Sequence, residues 1–123
     1  MALTVEKLKE GAWEFAVGGR LDGTTVRQLE AALQPALSNT ETKSIVLRMS
    51  ELDFISSAGI RVLIETQNVL STRGGRVLLL DLQPQILKVL EIIKALPGIS
   101  VFRNIEEMDE YLATIQRRIK SGE

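Results

Sequence analysis

Two apolar runs, "SIVLRM" at 44–49 and "RVLLLDL" at 76–82, constrain this chain more than any other feature. Neither alternates polar with apolar positions, so each reads as a strand buried on both faces. Strands of that kind belong to parallel sheets, and parallel neighbours need a crossover, which a helix supplies. Helical patterns do follow. From Gly59, residues Ile60, Leu63, Ile64 and Leu70 share one face, and Gly74-Gly75 ends the helix. After Pro84, suited to a first turn, "QILKVLEIIKAL" is apolar on most sides. Pro97-Gly98 breaks it, and "ISVF" at 99–102 reads as a short strand.

The flanks complete the order. Residues 3–9 and 12–18 read as a hairpin about Gly11, with Trp13, Phe15 and Val17 alternating as a half-buried strand should. Trp13 reads as a packing residue of that strand. Gly18-Gly19 and Asp22-Gly23 mark a loop. Thr25 to Gln28 fits a capping box ahead of a helix carrying Val26, Leu29, Leu33 and Leu37, which Pro35 should kink or end early. Asn104 caps a last helix with Glu107 at its third position and an apolar stripe of Ile105, Met108, Leu112, Ile115 and Ile119. Its acidic start and its basic end, Arg117, Arg118 and Lys120, match the helix dipole. The order β-β-α-β-α-β-α-β-α predicts a single α/β domain over 1–123, with a mixed, mostly parallel sheet of about five strands flanked by about four helices.

Chemistry is restricted by what is missing. The chain has no cysteine and no histidine, which removes a thiol nucleophile, the usual general base and a Ser-His-Asp triad. No metal site and no cofactor are read from it. A net charge of −1 gives no field toward nucleic acid or anionic lipid. The start "MALTVEKLKEGAW" is not a signal peptide, no apolar run approaches a membrane span, and a cytoplasmic location follows as the default. "TRGGR" at 72–76 reads as a helix-ending turn, with contact to a phosphate through Arg73 or Arg76 as the other reading.

Between strand and helix stands Ser56-Ser57. A hydroxyl there faces the free amides of the helix start, which makes it an N-cap. A phosphate at the same place would face the same amides and the positive end of the dipole, so the fold would tolerate it. Both readings stay open from local chemistry.

"SELDFISSAGIRVLI", 50–64, resembles the signature of the STAS domain, whose members include bacterial anti-sigma factor antagonists. Ser50, Phe54, Ile55, Ser57, Gly59 and Ile60 fall in register with it. "GGRLDGTT", 18–25, resembles the family's segment before its first helix, and the element order agrees from end to end. The resemblance implies that Ser57 is the phosphoacceptor, with Ser56 as the alternative, and that Asp22 lies near it. It implies a docking face formed by Asp22, Ser56, Ser57, Ala58, Gly59, Arg61, Glu65 and Asn68. Two departures stand out: Ser56 replaces the family's usual aspartate, and Ala58 its second serine. The implied partners are an anti-sigma factor with serine kinase activity, which supplies ATP, and a phosphatase that resets the switch. A homodimer stays open, as do a scaffold subunit and a small-ligand sensor. An enzyme with Ser57 as nucleophile would need an unusual base such as Lys43 or Lys88, and no spacing supports one.

Overall fold

A computed structural model describes residues 2–9, 11–92, 98–102 and 105–120. Strands β1 (Ala2–Lys9) and β2 (Ala12–Leu21) form the expected antiparallel hairpin. Helix α1 (Val26–Ser38) leads to β3 (Ser44–Arg48) and β4 (Leu52–Ile55), then to α2 (Ser57–Ser71) and β5 (Arg76–Leu80). Helix α3 (Pro84–Ile92), β6 (Ser100–Phe102) and α4 (Ile105–Lys120) follow. The sheet runs β1-β2-β3-β5-β6, with β4 pairing β2 off that path. Every pairing beyond the hairpin is parallel.

The apolar runs at 44–49 and 76–82 are buried on both sides for the expected reason. Ile45, Leu47, Val77 and Leu79 face a core closed by α1, α2 and α3, while Val46, Leu78 and Leu80 cluster with Phe102 of β6 and Met108 of α4. The large core holds the inward faces of three helices: Leu29 and Leu33, Leu63 and Leu70, Ile86 and Leu90. Trp13 packs against its rim, stacked 6.5 Å from Phe15. Among the described residues no helix is long and apolar enough to cross a membrane.

Several boundaries differ from the sequence reading. β2 runs on through Gly18-Gly19 to Leu21, so that pair is strand and not loop. Gly19 has a φ of 81°, the left-handed region, at the irregularity where Asp53 of β4 is left unpaired. β4 is an added strand; its four residues are buried only at the two ends, a pattern without period-2 alternation. Pro35 does not end α1, because Pro35 and Ala31, whose carbonyl loses its partner, both lie on the exposed side. β5 stops at Leu80, since Asp81 adopts a φ of 60°.

Helix α3 is less buried than its composition suggests. Ile86 and Leu90 face the core, whereas Val89 is 38% and Ile92 68% exposed. Its expected continuation to 96, with Ile93, Lys94 and Leu96, and the Pro97 break lie outside the described residues, as does the Asn104 cap. In α4, Met108 is buried and Glu106 and Glu107 form the acidic first turn. The side chains of Ile105, Leu112, Ile115 and Ile119, and of the basic end, are outside those described.

Candidate functional site

The site grows from the last rungs of the β2–β4 ladder. Arg20 stands opposite Phe54 and Leu21 opposite Ile55, and the Ser56 N–H donates to the Leu21 carbonyl at 2.8 Å. Leu21 and Ile55 point into the core, 0% and 6% exposed. Strand alternation therefore turns Arg20, Asp22, Phe54 and Ser56 outward together. The sequence-predicted neighbours, Asp22 and the serine pair, meet here because two parallel strands end side by side.

Asp22 is tightly held. Its Oδ1 accepts the Thr24 hydroxyl at 2.7 Å, the Thr24 N–H at 3.0 Å and the Thr25 N–H at 3.2 Å. These donors, the Thr24 hydroxyl foremost, hold its pKa down to about 2 against the opposing effect of burial. The capping box expected at Thr25 and Gln28 is not formed. The Thr25 hydroxyl instead accepts the Asp22 N–H at 2.9 Å and donates to the Arg20 carbonyl at 2.7 Å. No side-chain cap bond is made to α1 from Thr25. The carboxylate of Asp22, a stronger acceptor than a hydroxyl, has taken over the amides that precede the helix.

The two serines divide the work. Ser56 is the N-cap of α2, in extended conformation, with its Oγ accepting the Gly59 N–H at 3.4 Å. Ser57 is the first residue of the helix and is exposed. Among the described residues its Oγ has no hydrogen-bond partner. Ala58 is half-buried against the core. Gly59 is buried for a steric reason: a Cβ there would lie 2.8 Å from Leu21 Cγ and 2.9 Å from Ile55 Cγ1. Arg61, Glu65 and Asn68 are exposed and follow Ser57 at spacings of four, four and three, which places all four on one helix face.

Two participants escaped the sequence reading as site residues. The Arg20 guanidinium lies 4.0 Å over the Phe54 ring, and its Nε is 3.7 Å from Asp22 Oδ2. Phe54 is 38% exposed, an aromatic face presented beside the serines. The available signal was the place of Arg20 two residues before Asp22, but its pairing with Phe54 needs the strand register.

Other candidates fall elsewhere. Lys43 precedes the start of β3 and donates its Nζ to the Arg73 carbonyl, at the opposite end of the parallel strands from Ser57. Arg73 donates to the Leu37 carbonyl at 3.1 Å and the Asn39 carbonyl at 2.9 Å, tying the end of α2 to the end of α1. Lys88 is exposed on α3.

Comparison with known proteins agrees with this fold. The STAS domain family model matches residues 6–108. A Bordetella bronchiseptica protein named as a candidate anti-sigma factor antagonist, BtrV, is 34% identical over 92 residues, covering 75% of this chain and 78% of that protein. The anti-sigma factor antagonist SpoIIAA in its unphosphorylated form superposes with a TM-score of 0.77 at 22% identity, covering 91% of this chain and 97% of that one. The phosphorylated form of SpoIIAA, a Bacillus cell fate determinant, gives 0.70 at 23% identity, over 89% and 99%. With a family model matched across most of its length and a relative at 34% identity, the chain belongs to the STAS domain family.

Proposed function

We propose that this protein is an anti-sigma factor antagonist that works by partner switching, with Ser57 as its phosphoacceptor. The observation that carries the proposal is the division between the serines. Ser56 is spent on capping α2, while the exposed Ser57 hydroxyl heads the face continued by Arg61, Glu65 and Asn68. BtrV and SpoIIAA carry the name of that function, and SpoIIAA keeps this fold in both phosphorylation states.

In the unmodified state the face around Ser57, including Asp22 and Ala58 but not the buried Gly59, docks on an anti-sigma factor and so frees a sigma factor. The anti-sigma factor is also the kinase and brings the ATP. The Ser57 Oγ–P bond forms as the γ-phosphorus separates from the bridging oxygen of ATP. ADP leaves, and the hydroxyl proton passes to a base of the kinase. A phosphatase restores the hydroxyl. The chain itself is a regulatory module of the cytoplasm and performs no catalysis.

Charge alone is enough to release the partner. A phosphate adds about −1.5 to −2 charges at a surface that must lose its water to bind. Burying such a group unpaired costs at least a few kcal/mol, and about 1.4 kcal/mol is tenfold in affinity. Incubation with the cognate ATPase and ATP, followed by phosphopeptide mapping, tests the assignment. Phosphate on Ser57 is the expected result; modification of Ser56 alone, or none, refutes it.

A further inference from the structure

We infer that a phosphate on Ser57 is gripped by two arginines of the same chain, Arg20 and Arg61, and that this grip withdraws both guanidinium groups from the docking face. The inference rests on Ser57 as the modified residue and concerns what the phosphate does once there.

Arg20 shares the outward face on which the two strands end at the serines. Its Nε approaches Asp22 at 3.7 Å while its guanidinium crosses to β4 and covers Phe54 at 4.0 Å. The side chain thus lies across the outward face of the ladder whose last rung is Ser56, and it is 63% exposed. Arg61 approaches from the other side. It follows Ser57 by four residues in α2, the spacing that sets two side chains about 5–6 Å apart at Cβ. Among the described residues Arg61 has no ion pair within 4 Å.

Neither arginine is held by a strong competitor. An aromatic face and a carboxylate at 3.7 Å bind Arg20 more weakly than a phosphate dianion can, since guanidinium and phosphate match in a two-pronged, charge-assisted geometry. The anions on these elements are Asp22, Asp53 and Glu65, the last four residues after Arg61 on the same helix face. Thr24 and Thr25 donate to Asp22 Oδ1, which leaves Oδ2 facing Arg20 at 3.7 Å, and Asp53 accepts from the Gln83 amide at 3.3 Å. A dianion at the start of α2, close to the Asp22 loop, requires compensating cations, and Arg20 and Arg61 stand on the two elements that meet there. The clamp adds a second element to the switch. The partner meets an added phosphate and also loses two arginines that the unmodified face offers it.

The test uses the full chain with phosphoserine genetically encoded at position 57, so no kinase is needed. The second phosphate pKa, ordinarily about 6, is followed by phosphorus-31 NMR titration. In the otherwise unaltered chain it lies below that value, and it rises by about half a unit or more in Arg20→Gln and likewise in Arg61→Gln. The start of α2 is common to all three proteins, so the difference reads the arginines alone. Amide spectra that superpose away from the site establish that both exposed substitutions leave the fold intact. A phosphate pKa that is unchanged in either variant overturns the clamp. Failure of every kinase to modify Ser57 would defeat the proposed function and leave this measurement standing.

Discussion

The Ser56 N–H donates to the carbonyl of Leu21 at 2.8 Å, and this bond is the last rung between two parallel strands that the chain separates by a helix and another strand. It brings the Asp22 loop and the serine pair to one edge. It also fixes which serine caps and which is free. The Ser56 backbone is held extended by the rung, so its side chain is left to reach forward to the Gly59 amide.

The serines should separate in stability measurements. Replacing an N-cap hydroxyl costs about 0.5–2 kcal/mol, and the 3.4 Å bond of Ser56 places it near the lower end. Ser57→Ala removes an exposed hydroxyl without a partner and should change stability by less than about 0.5 kcal/mol. Urea denaturation of the two variants checks the order. A larger loss for Ser57→Ala than for Ser56→Ala contradicts the division of roles.

Gly59 gives a sharper test of the packing under the site. Alanine is favoured over glycine inside a helix by about 1 kcal/mol, so propensity alone predicts a gain. Its Cβ would meet Leu21 at 2.8 Å and Ile55 at 2.9 Å, both core side chains with no room to retreat. Overpacking typically costs about 1–3 kcal/mol, and Gly59→Ala should lower the denaturation midpoint. A raised midpoint would mean that the helix is not seated against β2 and β4 as described.

Much of this arrangement is legible in the sequence because it rests on local signals. The buried strands show as unbroken apolar runs, and the helices show as 3.6-residue periods. What depends on distant pairing is not legible. β4 has four residues and no alternation, and it exists because β2 extends two residues past the glycines that read as a loop. Arg20 and Phe54 lie 34 positions apart and meet only through the register. Gln67 carries no signal at all, yet its buried Oε1 accepts the Val77 N–H at 2.8 Å and ties α2 to β5. The capping box at Thr25 failed because Asp22, three residues earlier, takes the Thr25 amide, and the Thr25 hydroxyl is engaged with Arg20 and Asp22.

Asp22 should titrate far into acid. Its pKa is held near 2, below the ordinary 3.8, by the Thr24 hydroxyl first and then by the backbone amides. A depressed folded-state pKa contributes stability that is complete above the unfolded value and lost as pH falls through the folded one. The Asp22 contribution is therefore full above about pH 4 and disappears on the way down to 2. Carboxyl carbon-13 titration should find the midpoint near 2, and Thr24→Ala should move it up toward 3.8. A midpoint already at 3.8 in the unaltered chain would show that the Thr24 bond does not form in solution.

The decisive consequence concerns affinity for the partner ATPase. Ser57→Ala keeps the face neutral and should bind with the affinity of the unmodified chain, insensitive to ATP. Ser57→Asp places one charge at the centre of the face and should weaken binding; encoded phosphoserine places nearly two and should weaken it by about 100-fold or more, the equivalent of about 2.8 kcal/mol. The fold need not move, because Ser57 is exposed and its hydroxyl has no partner among the described residues. Calorimetric titration of the three proteins against one ATPase measures the series. Equal affinity for Ser57→Ala and phosphoserine 57 would show that the partner does not dock here, and the switch would have to lie on another surface.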